Sequence, residues 1–166
     1  MRRLILLRHA KSDWGDPDRA DHDRPLNARG KRDAPAVGGW LDRSGHVPDL
    51  VLCSPAKRAR STLRRLGLPA SVPVTVDPAL YGAEADELLD RVRLVDDAVG
   101  TVLLVAHNPG MHDLLTDLVD PADRPRVTEF PTAACAVVDL DVDRWAGTRP
   151  EGGRLSAYVT PRTLPG

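Results

Sequence analysis

Hydrophobic and polar positions along this chain fall into two kinds of segment: short unbroken apolar runs, and longer stretches in which apolar residues recur every three or four positions. Residues 4–7, 50–53 and 102–106 are runs of the first kind, and four or five consecutive aliphatics fit strands buried on both faces, as in a parallel sheet. In 28–43, Ala34, Val37, Trp40 and Leu41 sit at helical spacing, with Asn27 placed to cap the helix. Leu88, Leu89, Val92 and Val95 do the same in 84–98. Ser54 followed by Pro55 predicts another helix start, a capping hydroxyl ahead of a first-turn proline, running to about Leu66. Asn108-Pro109 opens a further helix.

Residues 72–76 make a weaker strand candidate, and two later strands over 133–140 and 155–159 are expected to be antiparallel or to lie at an edge. The polar stretch 11–25 has no period and reads as a loop over the active face. Residues 120–131, with three prolines, read as a long surface loop, and the tail from Thr160 as irregular. Alternation of strands and helices over the first 120 residues predicts an α/β fold, a sheet of mostly parallel strands covered by helices on both faces. No repeat or linker divides the chain, so one domain over 1–166 is expected, large enough to bury roughly 70% of its unfolded surface.

Charge narrows the partners. Lysines plus arginines (23) nearly balance aspartates plus glutamates (24), leaving a formal charge of −1. No global basic field points to nucleic acid or an anionic membrane. Met1 leads almost at once into the first apolar run, which leaves no room for a signal peptide, and no run approaches the ~20 residues of a membrane span. A cytoplasmic protein is expected. Cys53 and Cys135 lie in apolar runs without CxxC or Cys/His spacing, so they read as buried free thiols rather than a disulfide or zinc site. Twenty arginines against three lysines, with many Ala, Pro and Gly, fit a bacterium with a GC-rich genome.

Three apolar strands end alike. Arg8-His9, Ser54-Pro55-Ala56-Lys57-Arg58 and His107-Asn108-Pro109-Gly110 each follow immediately on a last hydrophobic residue. In a parallel sheet these endings share one edge, where ligands bind, which gathers two imidazoles and two guanidiniums in one pocket. That inventory suits phosphoryl transfer through a phosphohistidine. Arginines grip phosphate oxygens bidentately and helix amino-termini add N–H donors. A neutral histidine attacks phosphorus if its other ring nitrogen donates to a backbone carbonyl, and a second, protonated histidine stabilises the equatorial oxygens.

Leu-Leu-Arg-His-Ala-Lys-Ser-Asp-Trp (6–14), Arg-Pro-Leu-Asn-Ala-Arg-Gly (24–30), Ser54-Pro55 with Arg58-Ala59, and Val105-Ala106-His107-Asn108 match, in order and spacing, the histidine phosphatase (phosphoglycerate mutase-like) superfamily. The chain resembles in particular its short, SixA-type phosphohistidine phosphatase branch, over about the first two thirds of its length. The resemblance implies a phosphoglycerate mutase-like three-layer α/β/α sandwich, His9 as the phosphorylated nucleophile, and Arg8, Arg58 and His107 as holders of the phosphate. It also implies that no metal or organic cofactor is needed, and that the substrate is a phosphorylated protein or a small phosphate ester.

Two positions depart from the wider pattern. Ala10 stands where many members have Gly. Mutase-like members place a glutamate, as general acid, where Asp77-Pro78-Ala79-Leu80-Tyr81-Gly82 puts Gly82. Glu84 and Asp86 are the nearby substitutes, although both also suit the first turn of a helix. An alkoxide leaving group needs a proton in the transition state, whereas the imidazole of phosphohistidine departs neutral once its distal nitrogen is protonated. The gap therefore favours a P–N substrate over a sugar phosphate.

Other residues carry weaker expectations. Lys11 and Ser12 follow the nucleophile directly and are candidate substrate contacts, as is Asn27 beyond its capping role. His112 lies five residues after His107, but no third ligand completes a metal set. Trp14 frames the pocket mouth or covers the core. Counting five residues on from Cys53 reaches Ala59, with Arg58 one position early, so a cysteine phosphatase fails on spacing. Val137-Val138-Asp139-Leu140-Asp141 lacks the following motif of an aspartate phosphatase, and no Gly-rich GK[ST] loop exists. Three functions stay open at this level: a phosphohistidine phosphatase, a phosphomonoesterase using Glu84 or Asp86 as acid, and a non-catalytic phosphate-binding module.

Overall fold

Leu4, Ile5, Leu6 and Leu7 have no exposed surface at all, which is why the strand that contains them, β1 (Arg2–Arg8), needs no polar alternation: apolar layers cover both of its faces. The computed structural model describes residues 1–165. In chain order the remaining elements are α1 (Ala28–Arg43), β2 (Leu50–Cys53), α2 (Lys57–Arg65), β3 (Val74–Val76), α3 (Ala85–Arg93), β4 (Thr101–Ala106), α4 (Gly110–Leu118), β5 (Cys135–Leu140) and β6 (Gly153–Val159), with short 3-10 turns between some of them.

The six strands form one sheet in the order β3-β2-β4-β1-β5-β6. β3, β2, β4 and β1 run parallel, while β5 is antiparallel to β1 and β6 to β5. The period of two divides the core. Leu4, Leu6, Val102, Leu104 and Val138 pack on one face with residues of α3 and α4. Ile5, Leu7, Leu103, Val105 and Val137 pack on the other with residues of α1 and α2. The result is a three-layer α/β/α sandwich of the phosphoglycerate mutase-like type, with a mixed sheet, parallel in four of its six strands. Both later strands are antiparallel, and β6 is an edge.

Several boundaries move from the sequence expectation, each for a local reason. α2 begins at Lys57, three residues after Ser54, because the Ser54 hydroxyl is engaged elsewhere, on His107 and on the N–H of Ala56. α3 stops at Arg93 rather than 98: Val95 N–H donates to Val92 O in a tightened turn, and Asp97 beyond it accepts from Trp145 N–H. β5 starts at Cys135 because Ala133 takes a left-handed backbone (φ 61°) and turns its N–H onto the carbonyls of Arg8 and His9. The 120–131 stretch is more than a surface loop. It makes a 3-10 turn at Pro121–Arg126 and then buries Val127 and Phe130. Cys53 and Cys135 are free and buried, and burial pushes the Cys53 thiol up to about 12.

Candidate active site

β2, β4 and β1 are consecutive in the sheet and parallel, so their carboxyl ends place Ser54, His107 and Arg8-His9 side by side. α2 enters at the same edge with Arg58 in its first turn. The rings of His9 and His107 lie 5.1 Å apart. His9, Arg58 and His107 are each buried, and the two guanidiniums are close enough that Arg58, together with burial, lowers the pKa of Arg8. Arg8 is half-buried and Arg58 is partly answered by Asp21, and the positive charge that remains on the pair suits an anion between them.

The orphaned polar atoms say where that anion goes. Of the five buried polar atoms without a hydrogen-bond partner among the described residues, Asp33 Oδ2 lies on α1, and the other four are Nε of Arg8, Nε of Arg58, Nδ1 of His107 and Oδ1 of Asn108. Buried donors rarely stay unmatched in a folded protein. Three of these four atoms belong to the residues whose chemistry suits phosphate.

His9 is oriented by backbone. Its Nδ1 lies 2.8 Å from the carbonyl of Ala10. A carbonyl can only accept, so the proton sits on Nδ1 and the lone pair on Nε2. That carbonyl is fixed in turn: Ala10 N–H donates to Thr62 Oγ1 (2.9 Å), and the Thr62 hydroxyl donates to Arg58 O (2.7 Å) one helical turn back. Burial, aided by the cations around it, lowers the His9 pKa to about 3 against the Ala10 bond. The ring is therefore neutral across the physiological range.

His107 carries no second ring proton until an anion is present. Burial and then the field of Arg58 lower its pKa to about 4, so in the open pocket it is neutral rather than protonated. Ser54 Oγ lies 2.7 Å from its Nε2 and accepts from Ala56 N–H. The Ser54 bond anchors Nε2 and leaves Nδ1, which has no partner among the described residues, as the ring's free nitrogen; with Ser54 as the donor, Nδ1 carries the proton. On the far wall, Phe130 O accepts from Arg8 Nη1 (3.2 Å) and Asn108 Nδ2 (2.7 Å).

Sequence reasoning passed over Asp21, as it did Thr62 and Tyr81. Asp21 sits in the 3-10 turn Asp21–Asp23 of the loop over the active face. Its carboxylate accepts from Arg58 Nη2 (3.0 Å), from Tyr81 OH and from Arg24, while its main-chain oxygen accepts from Arg58 Nη1 (2.7 Å). The Tyr81 bond, followed by those of Arg58 and Arg24, holds its pKa well below the usual carboxylate range. Tyr81 in turn meets the edge of His107, 5.6 Å between ring centres. Loop 11–25 has no hydrophobic period, so only its position after the first strand hinted at such a role.

The remaining candidates fall outside this cluster. Ser12 is buried with its hydroxyl taken by Arg24, and Asn27 Oδ1 accepts from Gly30 N–H as the cap of α1. Asn27 keeps its Nδ2 donors and Ser12 its hydroxyl proton outside these bonds. Lys11 is half-buried beside the pocket, where its main-chain oxygen accepts from Asn27 N–H. Glu84 and Asp86 are at the start of α3, exposed, and engaged locally: Glu84 N–H donates to Glu87 Oε1 and Glu87 N–H to Asp86 Oδ1. Among the described residues neither carboxylate bonds to Arg8, His9, Arg58 or His107. His112 bonds Val127 O (2.8 Å), and Trp14 is exposed with Arg24 stacked 3.5 Å over its ring.

Comparison with known proteins agrees with this geometry. Residues 4–91 match the family model of the histidine phosphatase superfamily (branch 1). An uncharacterized protein of Mycobacterium tuberculosis is 40% identical over 162 residues, spanning 94% of this chain and all of its own. The phosphohistidine phosphatase SixA of Escherichia coli is 29% identical over 143 residues, 84% of this chain and 86% of that one. The solved structure of a protein from Nakamurella multipartita, provisionally assigned as SixA, is 35% identical and superposes with a TM-score of 0.83 over 96% of both chains. With more than half its length matched by the family model and its fold shared throughout, the chain belongs to the histidine phosphatase superfamily.

Proposed function

We propose that this protein is a phosphatase that removes phosphate from phosphohistidine in proteins, through a covalent intermediate on His9. One observation carries the substrate class: among the described residues the one carboxylate bonded into the pocket's polar network, Asp21, is ionised and held by three donors, so no carboxylic acid stands ready to protonate a leaving alkoxide. A P–N substrate needs none there, because its imidazole leaves neutral when its distal nitrogen carries a proton.

The steps follow from the ring tautomers. The Nε2 lone pair of His9 forms the new P–N bond in line with the substrate P–N bond, which breaks with its electron pair on the departing imidazole. His9 keeps its Nδ1 proton on Ala10 O, so the phosphorylated ring is cationic and a good leaving group. Arg8 Nε, Arg58 Nε and His107 Nδ1–H meet the phosphoryl oxygens. As negative charge enters, the His107 pKa rises and the ring can take up the proton it lacks in the open pocket. Water then attacks phosphorus, the electron pair returns to Nε2, and phosphate leaves with the water's hydroxyl and proton.

The test is phosphate release at matched concentrations from a histidine-phosphorylated protein and from a panel of phosphomonoesters, with His9→Ala as control. Strong preference for phosphohistidine, lost in the variant, supports the reading. Equal or better turnover of monoesters overturns it and transfers the acid role to Glu84 or Asp86. Stoichiometric phosphate binding without turnover of any substrate would make the pocket a binding module.

A further inference from the structure

Beyond the pocket, the most unevenly charged element is α2. Five of its nine residues, Lys57, Arg58, Arg60, Arg64 and Arg65, are basic and none is acidic, in a chain whose formal charge is −1. Arg58, Ala59 and Thr62 turn inward and are buried. Lys57, Arg60, Arg64 and Arg65, at three- and four-residue spacing, occupy the opposite arc and are exposed. Among the described residues none of these four takes part in an ion pair, and neither does Lys31, which faces them from α1 across a shared cleft. Elsewhere many arginines are answered: Arg24, Arg91, Arg124, Arg126 and Arg144 each meet a carboxylate, and those that do not, such as Arg32, Arg43, Arg149 and Arg162, are not gathered on one helix face with others.

On its other side the basic ridge borders an apolar groove of 370 Å³. Leu63, Leu68, Val72, Val74 and Val76 line it, and Arg60 and Arg64 stand at its rim. Val74 and Val76 are 48% and 46% exposed on β3, the edge strand of the sheet. Aliphatic side chains beside unanswered cations fit a protein segment that brings both carboxylates and apolar residues. They fit nucleic acid poorly, because no aromatic residue in the groove offers a base a stacking platform.

We infer that the outer face of α2 with the adjoining groove is a docking surface for an acidic segment of the phosphoprotein substrate. The inference rests on the proposed function and extends it to partner choice. One helix joins the two sites: Arg58 in its first turn faces the pocket, and Arg60 to Arg65 run outward from there. A segment docked along α2 delivers a neighbouring phosphohistidine to His9, and complementary charge speeds encounter and selects partners.

The probes are a fluorescent peptide alternating glutamate with aliphatic residues, its lysine counterpart, the glutamate peptide carrying one phosphohistidine, free phosphohistidine, and single-stranded DNA of matching length. The full chain should bind the unphosphorylated glutamate peptide in a salt-sensitive way and at least tenfold more tightly than the lysine peptide. Arg60→Glu/Arg64→Glu/Arg65→Glu should abolish that preference and lower kcat/KM for the phosphopeptide about tenfold, leaving turnover of free phosphohistidine within twofold of wild type. The neutral variant Arg60→Ser/Arg64→Ser should fall between, which guards against misfolding of the charge-reversed chain.

Equal binding of the two peptides, a preference that survives charge reversal, or tighter binding of DNA than of the glutamate peptide overturns the docking surface. Failure of the proposed function looks different: charge-dependent binding of the unphosphorylated peptide persists while neither phosphorylated probe is hydrolysed.

Discussion

Arg58 donates Nη2 to the Asp21 carboxylate and Nη1 to the Asp21 main-chain oxygen, and keeps Nε for the pocket, so one residue helps aim the guanidinium and its carboxylate partly cancels the charge an incoming phosphoryl group would meet. The two effects separate by substitution. Asp21→Asn retains an acceptor for Arg58 but removes the negative charge. Inorganic phosphate should then inhibit at roughly tenfold lower concentration, the size expected for deleting one nearby charge in a partly buried site. Asp21→Ala removes the side-chain acceptor as well, leaving Arg58 only the main-chain bond to residue 21, and should lower kcat several-fold as the guanidinium is held less firmly. A variant pair with unchanged phosphate inhibition and unchanged kcat would show Asp21 to be structural. Ser54 makes a second case. Ser54→Ala deletes the hydroxyl on His107 Nε2, and the ring loses the bond that keeps Nδ1–H toward the pocket. The expected result is a fall in kcat of about tenfold with little change in KM, recovered by Ser54→Thr.

Pocket geometry is held by two contacts of α1 and α2 with the chain just after His9. A Cβ on Gly30 of α1 would collide with the main chain of Lys11, backbone that cannot step aside, and Thr62 of α2 holds Ala10 N–H. Gly30→Ala should destabilise the fold by about 2 kcal/mol through overpacking. Thr62→Val, which strands a buried N–H, should cost roughly 1–3 kcal/mol. Denaturant titration measures both, and turnover should drop in each because the Ala10 carbonyl that sets the His9 tautomer moves. This is also where sequence reading succeeds and fails. Unbroken aliphatic runs declare β1, β2 and β4, and a parallel sheet carries their endings to one edge, so Arg8, His9, Arg58 and His107 are legible as a group. Asp21 and Thr62 are not, because each acts through a partner 37 or 52 positions away and leaves no periodic trace, and Ser54, legible as a strand ending, gives no sign of its bond to His107 53 positions on. Asn27 and Ser12 show another limit: their place near His9 in sequence suggested substrate contacts, and it gave no sign of the local bonds to Gly30 N–H and Arg24 that engage one atom of each.

Taken across the molecule, the pocket ties stability to pH. His9 and His107 are buried with pKa values lowered to about 3 and about 4, whereas in the unfolded chain both titrate near 6.5. Between those limits the unfolded state binds more protons than the folded one, so stability rises with pH and is lost as pH falls below about 6.5. From pH 8 to pH 5 each ring should contribute roughly 2 kcal/mol of that loss. His9→Asn/His107→Asn should unfold with a correspondingly shallower dependence over the same window. Catalysis should behave otherwise: both rings are neutral in the free enzyme from pH 8 to pH 5, so kcat/KM should show no inflection near 6.5 from either histidine. A bound anion reverses the linkage. Phosphate between Arg8, Arg58 and the two rings favours their protonated forms, raises both pKa values toward 6.5, and so flattens the dependence of stability on pH while raising Tm throughout, by about 2.7 kcal/mol of stabilisation at a hundredfold excess over Kd. Thermal melts at pH 8 and pH 5, with and without saturating phosphate, read this directly. A Tm difference between the two pH values that phosphate leaves unchanged would mean that the anion does not sit between the rings, and would remove the electrostatic basis for placing the phosphoryl group on His9.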